Sequence, residues 1–234
     1  MKTFSLFLLA ILMLIMTGIF TGCKKSNDKK TSCKISTITP VPTGTALQLS
    51  YNSEGRLSRV VSGTSVLTYE YTDNTTIVTA LNADTLNSKT IVNLNPAGLA
   101  INVRVETDAS GANWNNTFYE YNEDELAKST FTISTGGRPV ISTYGWSNHN
   151  MVSSTTDTTT TNYGYYTDKP RQSGDYLDLV QQLQGYEIYR TKNLVKSISS
   201  AVITYEFGSD GKINSLQATT GTTSSFLDYQ YQCN

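Results

Sequence analysis

One short phrase recurs along the chain and restricts what it can fold into. Leu49-Ser50-Tyr51-Asn52-Ser53-Glu54-Gly55-Arg56-Leu57 is echoed by Tyr205-Glu206-Phe207-Gly208-Ser209-Asp210-Gly211-Lys212-Ile213. Weaker echoes follow Leu94 (N-P-A-G), Tyr121 (N-E-D-E), Trp146 (S-N-H-N) and Tyr189 (R-T-K-N). Each copy reads as a hairpin: an alternating aromatic strand, a polar turn ending in Gly or Asn, and a second alternating strand. The turn needs a residue in the left-handed region, which Gly adopts freely and Asn at little cost. Gly55, Gly98, Gly211, Asn150 and Asn193 suit that slot. Glu125 does not, so the copy at Tyr121 is expected to use a different turn.

The strand signal has period two. Tyr69-x-Tyr71, Tyr119-x-Tyr121, Tyr163-x-Tyr165, Tyr205-x-Phe207 and Tyr229-x-Tyr231 each place two rings on one face of a strand. Between them lie β-branched runs such as Thr75 to Ala80, Ile101 to Val105, Val140 to Tyr144 and Ile198 to Thr204, for about a dozen strands or more. The Thr-rich tract inside Met151 to Tyr166 reads as a hairpin turning at Asp157. Ser173 to Gly185 breaks the pattern, because Tyr176, Leu177, Leu179, Val180 and Leu183 have helical spacing between an N-capping Asp175 and a terminating Gly185. The expected fold is all-β: an antiparallel meander of consecutive hairpins forming a curved sheet or open barrel, with one short helix near 175–184.

The N-terminus is set apart from this pattern. Lys2 precedes an apolar run from Phe4 to Met16, which is short for a membrane span and suits an export signal over 1–22. Phe20-Thr21-Gly22-Cys23 resembles the lipobox of Gram-negative lipoproteins, with Phe20 in place of the usual Leu. That resemblance implies acylation of Cys23 and attachment to the membrane through the lipid; Asp does not follow Cys23, which favours the outer membrane. Residues 23–32 carry nothing apolar between the two cysteines and read as a flexible tether. A single β domain over 33–234 follows.

With Cys23 assigned to lipid, Cys33 and Cys233 are an even pair in an oxidising compartment. They are expected to bond and so join the two ends of the domain; two free buried thiols are the alternative. The formal net charge is −1, from 18 basic and 19 acidic residues, and removal of Lys2 lowers it by one unit. No basic face is indicated, so nucleic acid is disfavoured as a partner.

Two further resemblances concern the repeats. The phrase from Leu49 to Leu57 resembles the YD-type repeat of Rhs-like hairpin proteins. The wider layout comprises Tyr144-Gly145-Trp146, the Thr hairpin, Asp168-Lys169-Pro170, the Leu-rich helix, Lys192 to Ile198 and the last hairpin. It is similar to a family of uncharacterised Gram-negative lipoproteins, a domain of unknown function, over roughly Thr39 to Tyr231. The resemblance supports the fold and brings one chemical implication, since some relatives are linked to a bound porphyrin.

The residues themselves supply little chemistry. The one histidine, His149, lies in an expected turn, so no Ser-His-Asp arrangement can be assembled. Glu123-Asp124-Glu125 reads as a turn, and Asp108-x-Ser110-Gly111-x-Asn113 only half resembles a calcium loop. No metal site is expected. Trp114 and Trp146 could form an aromatic platform for a glycan, a peptide or a flat macrocycle, with core packing as the alternative. A porphyrin, if bound, would take a Tyr, His149 or Met151 as axial ligand. The expectation is therefore a lipid-anchored cell-envelope protein acting as a non-catalytic binding or structural module. A carrier of a porphyrin or other small apolar ligand is the second reading, and a glycan-active enzyme the third.

Overall fold

The computed structural model describes residues 33–233. The export signal 1–22, the lipidation candidate Cys23, the tether 23–32 and Asn234 lie outside the described residues. The first eight strands are β1 (Cys33–Val41), β2 (Leu47–Tyr51), β3 (Leu57–Ser62), β4 (Ser65–Tyr71), β5 (Thr75–Asn82), β6 (Thr85–Leu94), β7 (Ala100–Glu106) and β8 (Trp114–Asn122). The second eight are β9 (Glu125–Ile133), β10 (Val140–Ser147), β11 (Asn150–Thr156), β12 (Thr159–Pro170), β13 (Asn193–Ile198), β14 (Ala201–Phe207), β15 (Ile213–Thr220) and β16 (Thr223–Cys233). One helix, α1 (Tyr176–Gln184), interrupts the meander between β12 and β13.

Every strand pairs antiparallel with its sequence neighbours, and β1 pairs with β16, so the sheet is a closed barrel of sixteen strands. This corrects the expected curved sheet or open barrel. Closure rests on eight register pairs, from Cys33↔Cys233 to Val41↔Phe226. It leaves no row of unpaired N–H and C=O groups at either edge. Hairpin patterns describe neighbours only, and the pairing of first strand with last leaves no local mark. The Cys33 and Cys233 sulfurs are bonded across this seam.

Several local expectations also need correction. Gly55, Gly98 and Gly211 take the left-handed conformation, but in the β10–β11 turn it falls on Asn148 and His149, while Asn150 is already in the strand. Asn193 opens β13, and the echo at Tyr189 is part of the connection holding α1 rather than a hairpin. Ile198 to Thr204 is the end of β13, a turn and the start of β14, with Ser199 at positive φ. The Thr tract does form the β11–β12 hairpin, turning at Asp157 with φ 51.

The barrel has two unlike ends. The odd strands start, and the even strands finish, at the end that carries α1, Cys33 and Cys233; this is the plugged end. Here the inward residues form the core, with Ile35, Leu126, Leu194 and Ile213 all at 0% exposure. Leu177, Leu179 and Gln181 of α1 are buried against it. The helix and the connection after it are tied to the wall on several sides: Tyr69 donates to the Leu183 carbonyl at 2.7 Å, Gln182 Nε2 donates to the Tyr51 oxygen at 3.0 Å, and Ala100 N–H donates to Glu187 O at 2.8 Å.

A repeated device builds this end. In β1, β3, β7, β9, β11, β13 and β15 the register skips one residue close to the strand start: Ser36, Ser58, Ile101, Ala127, Val152, Lys196 and Asn214. Each is a β-bulge, which bends the strand and disturbs the ladder. The residue before each bulge stays inward, and its carbonyl takes a hydrogen bond from an aromatic side chain on the following even strand. Tyr51 donates to Ile35 O (2.6 Å), Tyr71 to Leu57 O (2.7 Å), Tyr121 to Ala100 O (2.7 Å) and Trp146 to Leu126 O (2.8 Å). Tyr165 donates to Met151 O (2.8 Å), Tyr205 to Val195 O (2.9 Å) and Tyr231 to Ile213 O (2.8 Å). The exception fits the rule: β5 pairs with β4 without a register shift, and β6 carries Leu94 where the others carry a ring.

Candidate functional site

The four side chains singled out from the sequence do not form one site. Trp114 opens β8 at the open end of the barrel and faces outward, with the Arg104 guanidinium 4.8 Å from its ring centre. Trp146 is at the plugged end, inward, its indole N–H engaged by Leu126. The two indoles therefore occupy opposite ends and opposite faces of the wall. His149 sits on the β10–β11 turn with an 80% exposed side chain, its Nδ1 3.5 Å from a Glu125 oxygen. Met151 is 1% exposed and packed in the core.

These positions do not suit a porphyrin iron. Met151 is packed in the core, His149 projects from a turn into solvent, and the phenols of Tyr51, Tyr71, Tyr121, Tyr165, Tyr205 and Tyr231 are spent on backbone carbonyls. Burial also raises the phenol pKa values, Tyr51 and Tyr231 each to about 12, which keeps them protonated as donors. A cavity of about 390 Å³ does lie beside the same hairpin, lined by Asn148, Asn150, Tyr163, Tyr165, Lys192 and Asn193 among others. Two of its amides are already paired: Asn150 Oδ1 accepts from Lys192 N–H and Asn193 N–H at 3.0 Å each, and Asn150 Nδ2 donates to Asn193 Oδ1 at 3.0 Å.

The acidic clusters serve loops. The Asp108 carboxylate accepts from the backbone N–H groups of Ser110, Ala112 and Asn113 and from the Ser110 hydroxyl, and these bonds hold it well below the usual carboxylate range. Among the described residues no group of three or more His, Cys, Asp or Glu is placed to hold a metal ion.

Asp175 was missed as a buried contact. It precedes α1, but its side chain makes no capping bond to the helix. Its Oδ1 instead accepts from Val195 N–H at 3.0 Å and from the Tyr205 hydroxyl at 2.6 Å, joining the plug to β13 and β14. The residue is 0% exposed, and its Oδ2 and the buried Tyr229 hydroxyl have no hydrogen-bond partner among the described residues. Burial pushes its carboxyl pKa up. Nothing in an S-G-D-Y sequence separates such a carboxylate from an ordinary cap.

The open half of the lumen has the opposite character. Following the register round the barrel, every charged residue paired within a strand falls on the outward side, among them Arg59, Glu70, Lys89, Arg104, Glu120 and Lys128. The inward side of the paired residues carries no Asp, Glu, Lys, Arg or His. Toward the open end this uncharged face is not packed. Phe131, Ile133 and Val140 point inward, yet are 37%, 43% and 38% exposed. On the wall of β2 to β6 a cavity of about 330 Å³ is lined by Leu47, Val60, Leu67 and Ala80 and by the polar Ser62, Ser65, Asn82 and Asn87, among others.

No protein-family model and no curated protein matches the chain. Solved structures do. A porin-like protein from Bacteroides uniformis ATCC 8492 is 17% identical with a TM-score of 0.60, the match covering 85% of this chain and 96% of that one. A porin-like protein from Bacteroides vulgatus ATCC 8482 is 14% identical with a TM-score of 0.59, covering 85% and 98%. At these identities the likeness is one of fold.

Proposed function

We propose that this protein is a lipid-anchored, non-catalytic binding module of the outer membrane, with its barrel standing in water and its half-open lumen as the binding surface. The observation that carries this reading is the distribution of charge across the wall. A barrel that spans a bilayer turns an apolar band outward and a polar face inward, and an outward Arg or Lys at the midplane costs about 2–4 kcal/mol. Here Arg104, Glu120 and Lys128 are outward within their strands, while the inward face is uncharged and carries the core. These charges interrupt the outward apolar residues Phe118, Ile141, Val202 and Phe226, so attachment falls to the lipid on Cys23. Cys33, where β1 starts, is at the plugged end, opposite the lumen mouth.

The glycan-active enzyme is the weaker reading. Sugar hydrolysis needs two carboxyl groups about 5–10 Å apart across the bond that is cut; the inward strand positions supply none, and Asp178 and Glu187, which line a cavity beside α1, are both held by Arg171.

Fractionation of cells expressing Cys23→Ser tests the proposal. The expected result is a folded barrel released into the aqueous phase without detergent, whereas the unaltered chain needs detergent. A Cys23→Ser chain that stays integral to the membrane would show a lipid-facing wall and overturn the reading.

A further inference from the structure

We propose that the cavity on the lumen wall of β2 to β6 binds a small, uncharged and mainly apolar molecule, such as a fatty alcohol or a terpenoid-like compound. This rests on the lumen being the binding surface. The cavity, about 330 Å³, is at the lower end of the range typical of small-ligand sites, about 300–1,000 Å³. Leu47, Val60, Leu67 and Ala80 give it an apolar floor, and its polar atoms are the hydroxyls and amides of Ser62, Ser65, Asn82 and Asn87.

Ligand charge is decided by what the wall lacks. No Lys, Arg, His, Asp or Glu lines the cavity, so an ionised group entering it would lose water and gain only neutral dipoles. The nearby turn between β5 and β6 carries Asp84, which opposes an anion further. No aromatic ring lines the cavity either, and the polar groups are partly paired within the wall: Thr64 Oγ1 donates to Asn82 Oδ1 at 2.9 Å and the Ser62 hydroxyl donates to Thr45 O at 3.4 Å. A sugar would find no stacking platform. A neutral apolar molecule with at most one hydroxyl loses least on entry.

The test is competition for a neutral fluorescent dye, phenylnaphthylamine, bound to the mature chain. Competitors are a long-chain alcohol and the carboxylate of the same length, at a pH where the acid is ionised. The alcohol is expected to displace the dye at least about tenfold more effectively, a gap well within the cost of burying an unpaired charge. Ser65→Glu, at an exposed rim position, should weaken dye and alcohol alike, and Ala80→Phe should do so by filling the space. Thr68→Glu on the outward side should change nothing. Equal displacement by alcohol and carboxylate would overturn the ligand class and leave the lumen reading standing. Dye binding that ignores both Ser65→Glu and Ala80→Phe would overturn the site. A folded barrel that takes up no dye would remove the lumen reading itself.

Discussion

The indole N–H of Trp146 on β10 donates to the carbonyl oxygen of Leu126 on β9 at 2.8 Å, and the residue after Leu126, Ala127, is the one that the β8–β9 register skips. A buried carbonyl beside a bulge needs a donor from outside the regular ladder. Trp146→Phe keeps a ring but removes that donor. Urea unfolding should show a loss of about 1–3 kcal/mol, the cost of leaving one buried acceptor unpaired. A loss below a few tenths would mean that the ring acts through packing alone.

Asp175 makes stability depend on pH in a defined direction. Its carboxyl is raised, first by burial, while the Tyr205 hydroxyl and Val195 N–H pull it down and Asp178 pushes it up. The Tyr165, Tyr189, Tyr205 and Tyr229 phenols all lie within its electrostatic reach, and all four are themselves raised. A group with a raised folded pKa binds its proton more tightly in the native state. Its contribution is therefore greatest below the unfolded value of about 3.9 and falls as pH rises through the folded one. Asp175→Asn keeps an acceptor oxygen but cannot ionise. Thermal melts of both chains across pH should show the native chain losing stability relative to Asp175→Asn from acid to neutral. A constant difference between the two curves would contradict this.

Gly185 ends α1 with φ 83, and a Cβ there would lie 2.6 Å from Tyr69 Cδ1 and 3.0 Å from Val78 Cγ2. Gly185→Ala should cost about 1–3 kcal/mol through overpacking, with added strain from the left-handed backbone. Amide exchange should show the loss first in α1, since the Tyr69 hydroxyl holds the Leu183 carbonyl. Protection unchanged in α1 would mean that the plug does not depend on this contact.

The Cys33–Cys233 bond spans 200 residues. Loop-closure entropy sets the destabilisation from a Cys33→Ser, Cys233→Ser double variant at no more than about 5 kcal/mol. Amide exchange should speed up first in β1 and β16, where the seam closes. If exchange in those strands stays as slow as in β8 and β9, the ladder alone holds the barrel shut.

Much of the local structure is written in residue spacing. The Tyr-x-Tyr pairs, the glycines at 55, 98 and 211, the Thr hairpin and the helix near 175–184 all follow from period, turn geometry and capping. The bulges are written there too, in a signal that strict alternation obscures. Ile35 and Ile38, Leu57 and Val60, Ala100 and Val103, and Ile213 and Leu216 are buried pairs three residues apart rather than two. An odd spacing between inward residues just after a turn marks a skipped residue. The candidate site was less legible. Trp114 and Trp146 are both large aromatics in strands, and only register assigns one to the outer face at the open end and the other to the core at the plugged end.

Local sequence determined the units of this protein, because a β-hairpin is decided by side-chain alternation and by which residues tolerate the turn between its strands. It did not determine that β1 would meet β16, that α1 would fill one end, or that the charges of all the paired strands would share one side of the wall. Those depend on contacts between residues far apart in the chain. Closure fixes which face is inside, and only when the inside exists can leucines, serines and asparagines from separate strands become the lining of a cavity.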